Sequence, residues 1–136
     1  MPVMVLTSEY LSLAGNDLSE YTRKAELSVE VEEKDVTTYA SAGWKVVTGG
    51  LKSGELGCEF LQDFATGRID GIMWPLLGTV VPFEVRPTNA VVGVSNPKYT
   101  GSVLIKEWKP VEGGVGDEAT SSASFPTSGP VLRATT

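Results

Sequence analysis

A mainly β chain is the fold class this sequence predicts: two packed antiparallel sheets, sandwich or barrel, with one short α-helix. Three observations predict it. Apolar and polar residues alternate with a period of two in segment after segment, separated by turn residues at roughly 8–12-residue spacing. One stretch alone changes to a helical period. Fifteen Gly and eight Pro among 136 residues supply the many turns such a fold needs. A chain of this length is read as a single domain, residues 1–136.

In chain order, residues 1–23 read as an N-terminal arm, in which Val3, Val5 and Leu6 form a short strand or lie extended, with a second short strand candidate at 12–16. Residues 24–32 give the cleanest alternation: Ala25, Leu27, Val29 and Val31 on one face, Glu26, Ser28, Glu30 and Glu32 on the other. Residues 33–54 read as a long connection carrying Tyr39, with a strand from Trp44 to Val47; long loops with their own aromatic residues are often binding elements. In residues 55–60, Leu56, Cys58 and Phe60 face inward and Glu55, Gly57 and Glu59 outward. Ile69, Ile72, Met73 and Leu76 then form one helical stripe. Pro75 should end or kink that helix near Trp74, and Gly78 should cap its end. Val81, Phe83 and Val85 alternate in a strand where Pro82 implies an edge position or a bulge. Further strands are expected at 90–95, at 101–108 with Trp108 on the face opposite Val103 and Ile105, at 119–125, and at 131–134 within a C-terminal arm, 126–136.

The formal net charge is −6, and there is no histidine. A nucleic-acid clamp needs a positive surface that displaces counterions from phosphates, and this chain offers the reverse. Without histidine the commonest general base and the commonest zinc ligand are both missing. The lone cysteine permits no internal disulfide. The longest apolar run falls short of the about 20 residues a membrane span needs, and the first residues carry no secretion-signal pattern. Gly113-Gly114-Val115-Gly116 lacks the Gly-Lys-Ser/Thr ending of a phosphate loop, and Lys52-Ser53 fails on the same ground. Cys58 lies on an apolar face with no base to activate it. Asp63 and Asp70 flank a helix start and read as capping carboxylates rather than an acid–base pair. Trp44, Trp74 and Trp108 could form a sugar-stacking platform but sit on different elements. No catalytic, cofactor or metal site emerges.

With the elements placed, NDLSEYTRKAELSVEVEEKDVTTY, GGLKSGELGCEFLQDF, IDGIMWPLLGTVVPFEVRP, NPKYTGSVLI and VGDEATSSASFPTSGPVLRAT together resemble the tail tube (major tail) proteins of long-tailed bacteriophages, especially small ones from phages of actinobacteria. The resemblance runs from Asn16 to Thr135. It implies two packed antiparallel sheets flanked by one helix. It also implies a structural, non-enzymatic virion protein, made in the host cytoplasm, whose rings, typically hexameric, stack into a hollow tube that genomic DNA traverses without specific binding. Its partners would be further copies of itself and the tape measure, tail terminator and baseplate proteins, with no membrane and no cofactor. The loop at about 33–48, with Tyr39 and Trp44, would reach the neighbouring ring, and the terminal arms, with Val3, Val5 and Leu6, would lock rings together. Glu26, Glu30 and Glu32 would face the lumen, where like charge keeps phosphates from adhering. Alternatives are a tail terminator, a head–tail joining or capsid decoration protein, or a carbohydrate-binding module.

Overall fold

The computed structural model describes residues 3–136; residues 1 and 2 of the expected arm lie outside the described residues. Strands β1 (Tyr10–Leu13), β2 (Asn16–Asp17), β3 (Thr22–Asp35) and β4 (Val47–Leu61) are followed by helix α1 (Ile69–Met73), and then by β5 (Val80–Arg86), β6 (Lys98–Leu104), β7 (Thr120–Pro126) and β8 (Leu132–Ala134). Five strands form one sheet in the order β2-β1-β5-β6-β8, and three form a second in the order β3-β4-β7. Every strand pair is antiparallel.

The core lies between the sheets. The five-stranded sheet contributes Leu11, Leu13, Val81, Phe83 and Val103, and the three-stranded sheet Leu56, Cys58, Phe60, Ala123 and Phe125. In β4 and β7 the buried residues alternate with partly exposed ones, which is the period of two written in the sequence. The helix closes one side of the core. Ile69 and Met73 are fully buried, and Ile72 and Leu76 pack against the same cluster. As Pro75 requires, the α-helix stops at Met73, and a single 3-10 turn, Trp74–Leu76, follows. Gly78 then adopts φ +87°, and its N–H donates to the Ile105 carbonyl at 2.7 Å. Gly101 has a different reason to be glycine: a Cβ there would come within 3.0 Å of both the Phe83 ring and the Pro130 carbonyl.

Several expectations are corrected. Among the described residues only 3–9 extend as an arm. Residues 10–22 belong to the body, because Leu11, Leu13 and Leu18 are buried to 0–1% exposure. The C-terminal residues are tied down likewise, with Leu132–Ala134 paired to β6. Pro82 occupies neither an edge nor a bulge. β5 lies between β1 and β6, but β1 ends opposite Phe83 and Ala14 N–H donates to the Pro82 carbonyl. The missing donor of Pro82 therefore faces the side where β1 has already turned away, and no ladder bond is lost. Residues 90–95 are not a strand. They form a loop held by Asn96, whose Nδ2 donates to the carbonyls of Ala90 at 3.0 Å and Val91 at 3.3 Å while its Oδ1 accepts from Thr88 N–H at 3.1 Å. β6 ends at Leu104, three residues after Gly101. The chain then leaves the strand phase, which lets Trp108 turn inward beside Phe60, with ring centroids 6.0 Å apart. Its indole N–H donates to Asp70 Oδ1 at 3.1 Å. Asp63 caps no helix; its Oδ1 accepts from Ala65 N–H at 3.0 Å in the preceding turn.

Ser121 is fully buried opposite Phe60 on β4, and among the described residues its hydroxyl has no hydrogen-bond partner. A buried unsatisfied hydroxyl costs about 1–3 kcal/mol. Ser121→Ala should therefore be neutral or stabilising, raising the midpoint of a urea unfolding curve with unchanged slope. A lowered midpoint would show that the hydroxyl is satisfied.

Candidate functional site

Two surfaces stand out. The first is the outer face of the three-stranded sheet. Because β3, β4 and β7 alternate in register, Glu26 lies opposite Gly57, Ser28 opposite Glu55, and Glu59 opposite Ser122. Glu26, Glu55, Glu59 and Glu107 line one shallow groove with Lys24 and Lys109. The lysines only partly offset the carboxylates: Lys24 reaches Glu26 at 4.0 Å, with both side chains more than two-thirds exposed. Glu26 thus belongs to a wider acidic face than residues 24–32 alone suggested. Glu55 and Glu59 were already placed outward by the alternation around Phe60. Glu107 comes from the distant 105–119 connection, and nothing local in the sequence marks it.

Glu30 and Glu32 are elsewhere. They lie where β3 and β4 run beyond the body as a two-stranded ribbon, since β7 pairs β4 only from Glu55 onward. That ribbon is the second surface. The segment expected as a loop at 33–54 is half strand: β3 continues to Asp35, β4 begins at Val47, and Trp44 lies in the tip before the strand. Seven residues of β3, Val29 to Asp35, project roughly 23 Å at about 3.3 Å per residue. Residues 28–53 are exposed throughout, apart from the half-buried Ser41. An isolated two-stranded hairpin is marginal in water, yet this one carries Val29, Val31, Val36, Val46, Val47 and Leu51 in the open. At its tip Tyr39 is 106% exposed and Trp44 77%.

The tip holds its own shape. Thr37 Oγ1 accepts from Val46 N–H at 2.8 Å, and Asp35 Oδ1 accepts from Thr37 N–H at 2.9 Å. Hydrogen bonding from Thr37 holds the Asp35 carboxyl below its usual range. Ion pairs flank the tip: Lys34 with Glu32, and Lys45 with Glu33 at 3.3 Å. The other expected contact residues, Val3, Val5 and Leu6, are exposed as well, on the extended N-terminal segment.

The remaining candidates are structural. Cys58 is buried, and burial, with a lesser contribution from the negative charge of Glu9, pushes its thiol up to about 12. It is a thiol at any physiological pH, and thiolate is the nucleophile. A maleimide reagent at pH 7.5 should label Cys58 only after denaturant is added; labelling of the folded chain would contradict that placement. Trp108 is buried and bonded to Asp70, so it is unavailable to a stacking platform with Trp44 and Trp74. Among the described residues no group of three or more His, Cys, Asp or Glu is placed to hold a metal ion. No helix among them is long and apolar enough to cross a membrane.

No protein-family model matches the chain, and no curated protein sequence matches it significantly. Solved structures do match in shape, among them two from gene transfer agent particles. A chain of the virion of a native gene transfer agent particle superposes with a TM-score of 0.69 at 18% identity, covering 90% of this chain and 94% of that one. A chain of the tail of an empty gene transfer agent particle, determined with C6 symmetry, gives a TM-score of 0.68 at 20% identity, covering 92% of both chains. Both come from gene transfer agent particles, so neither speaks for an actinobacterial-phage subtype. At such identities the likeness is one of fold, and it extends over nine-tenths of the chain: this chain has the β-sandwich fold of chains found in the virion and the tail of gene transfer agent particles.

Proposed function

We propose that this protein is a structural subunit of a phage-like tail tube. Copies join into rings, six to a ring, and the rings stack into a hollow cylinder through which DNA passes. The observation that carries the reading is the near-complete superposition on a chain of a C6-symmetric tail, over 92% of both molecules. The exposed ribbon supports it independently, because an apolar, self-structured projection with no partner among the described residues marks an interaction site. A cylinder grows by head-to-tail contacts that do not close along the axis, and a protruding element on one copy meeting a different surface on the next is a contact of that kind.

The acidic face, with Glu55 and Glu59 on its central strand and Glu26 beside them on β3, lines the bore, and Glu30 and Glu32 continue it along the ribbon. A like-charged wall releases no counterions from DNA, so nothing holds the polymer as it slides. Replacing Glu26, Glu55 and Glu59 by lysine changes the charge by three times two, from −6 to 0. Assembled tubes of that variant should retain short duplex DNA at 50 mM salt and release it steeply as salt rises, while wild-type tubes retain none at either. Equal retention by the two proteins would remove these residues from the bore.

Negative-stain microscopy of the purified chain over a range of concentrations tests the function itself. Long hollow cylinders with a regular axial repeat are expected. Single rings at every concentration would indicate a terminator or joining protein, and isolated monomers would overturn the reading. Glycan binding lost on Trp44→Ala or Trp74→Ala would instead favour a carbohydrate-binding module.

A further inference from the structure

The three-stranded sheet has two edges, and they are finished differently. β3 borders it on one side, its outer edge unpaired by any strand among the described residues. β7 borders it on the other, and there the 105–119 connection lies along the strand. Ser122 N–H donates to Glu112 Oε2 at 3.0 Å, and the Ser122 hydroxyl to Glu112 Oε1 at 3.3 Å. Ser124 N–H donates to Glu107 Oε1 at 2.9 Å, and Thr120 N–H to the Glu112 carbonyl at 3.4 Å. The next position in the alternation is Pro126, which has no N–H to offer. Every outward donor of β7 is thereby occupied or absent, two of them by side chains and not by a ladder.

Edge strands with free donors invite another strand to add, and proteins commonly block them with charge, proline or a covering segment. β7 carries all three devices at once. The covering segment is anchored at its two ends and loose between them. At the near end Trp108 is buried against Phe60, and Gln62 Nε2 donates to the Pro110 carbonyl at 2.8 Å. At the far end Gln62 N–H donates to the Ala119 carbonyl at 3.0 Å and Arg23 pairs with Glu118. Beyond Pro110 the segment is exposed apart from Glu112 itself, contains Gly113, Gly114 and Gly116, and leaves Val111 and Val115 in solvent. Glu112 rides on the loose part, and Glu107 can release Ser124 by rotating its side chain.

Resting on the tube-subunit reading, we infer that Glu107 and Glu112 form a displaceable guard on β7, and that its release admits the open β3 edge of a second copy. β3 and β7 are each antiparallel to β4, so they run in the same direction. A copy related by rotation about the ring axis brings its β3 alongside β7 in parallel and extends the sheet from subunit to subunit. The occupant is a second copy because cyclic contacts are heterologous, and this sheet supplies both unlike halves, an open edge and a guarded one. The guard keeps the free subunit from adding strands indiscriminately before the correct neighbour is in place.

The test compares Glu107→Ala/Glu112→Ala with Glu107→Gln/Glu112→Gln at matched concentration, following assembly by light scattering and microscopy. The Gln variant keeps an acceptor oxygen for each backbone amide, while it loses the charge and, at position 112, the oxygen that accepts from the Ser122 hydroxyl. Removing both acceptors should shorten the assembly lag about tenfold, and the Gln variant should keep the wild-type lag. An Ala variant no faster than wild type overturns the guard. A Gln variant as fast as the Ala variant overturns it too, since bulk charge would then be the brake. Hydrogen exchange on the wild-type chain gives a measurement independent of any variant's folding. The Ser122 and Ser124 amides should exchange readily in the monomer and become as protected as core ladder amides in the assembly; unchanged exchange sinks the inference. Tubes forming with unchanged exchange would defeat the guard alone, whereas no assembly of any chain would defeat the tube reading and the guard with it.

Discussion

Replacing residues 37–45 by Asn-Gly is expected to leave the fold intact and abolish tube formation. Val36 N–H donates to the Val46 carbonyl at 2.9 Å, next to the cross-strand partners Asp35 and Val47, so a two-residue type I′ turn can close that pair without altering register. The deleted residues are exposed except for the half-buried Ser41, and none belongs to the core. The unfolding midpoint should therefore stay within a few degrees of wild type. The loss falls on association. Tyr39 and Trp44 each present on the order of 150–250 Å² to a neighbour. At about 25 cal/mol per Å², that is several kcal/mol per subunit before ordering costs. Repeated at every subunit of every ring, the deficit should leave no measurable cylinder at concentrations where wild type assembles fully. Sedimentation and microscopy decide it, and normal tubes from the shortened chain would show that the ribbon tip makes no contact that matters.

The second large effect is on stability. Phe60→Ala should destabilise the monomer by about 3–5 kcal/mol, a large share of the roughly 5–15 kcal/mol that holds a domain of this kind together. Phe60 is fully buried, sits opposite Ser121 on β7, and supports the Trp108 ring. Its removal opens a cavity at the junction of the three-stranded sheet and the 105–119 connection. Equilibrium unfolding in urea reads the change, and a shift below about 1 kcal/mol would mean the site collapses around the gap or is less central than its burial suggests.

A smaller effect depends on pH. Burial raises the Glu9 carboxyl above its ordinary range, and one of its oxygens has no hydrogen-bond partner among the described residues. A carboxyl raised in the folded state disfavours folding once it ionises, so this group weakens the fold as pH climbs through and above the usual carboxylate range. Glu9→Gln should raise the melting temperature at pH 7 and have no such effect at pH 3, where both states are protonated. A drop at pH 7 would show that the ionised form is satisfied.

What the sequence disclosed follows from the range of its signals. The strand at Leu56, Cys58 and Phe60, the strand at Ser121, Ala123 and Phe125, and the helix stripe from Ile69 to Leu76 were legible because burial imposes a period of two or of 3.6 on adjacent residues. Pro75 and Gly78 were legible because their backbone preferences act locally. The rest was decided by partners far along the chain. Gly49-Gly50 reads as a loop, but pairing with β3 makes it ladder. The valine-bearing run 90–95 reads as a strand, but no neighbour pairs along it and Asn96 folds it into a loop. Tyr10 to Leu13 is too short to announce itself, and only β5 makes it a core strand. On the acidic face, Glu26, Glu55 and Glu59 could be read from alternation, whereas Glu107 and Glu112 reach β7 through bonds spanning 17 and 10 residues. No local pattern encodes such reach.

The ribbon is one ladder thick where the body is two sheets thick, and it carries no side chain at Gly49 or Gly50 to stiffen it. In a stacked cylinder the compliant joints would then lie between rings, and each ring would behave as a rigid disc. Curvature would be taken up by slight tilts distributed over many thin tethers, so the bore keeps its width as the whole filament flexes.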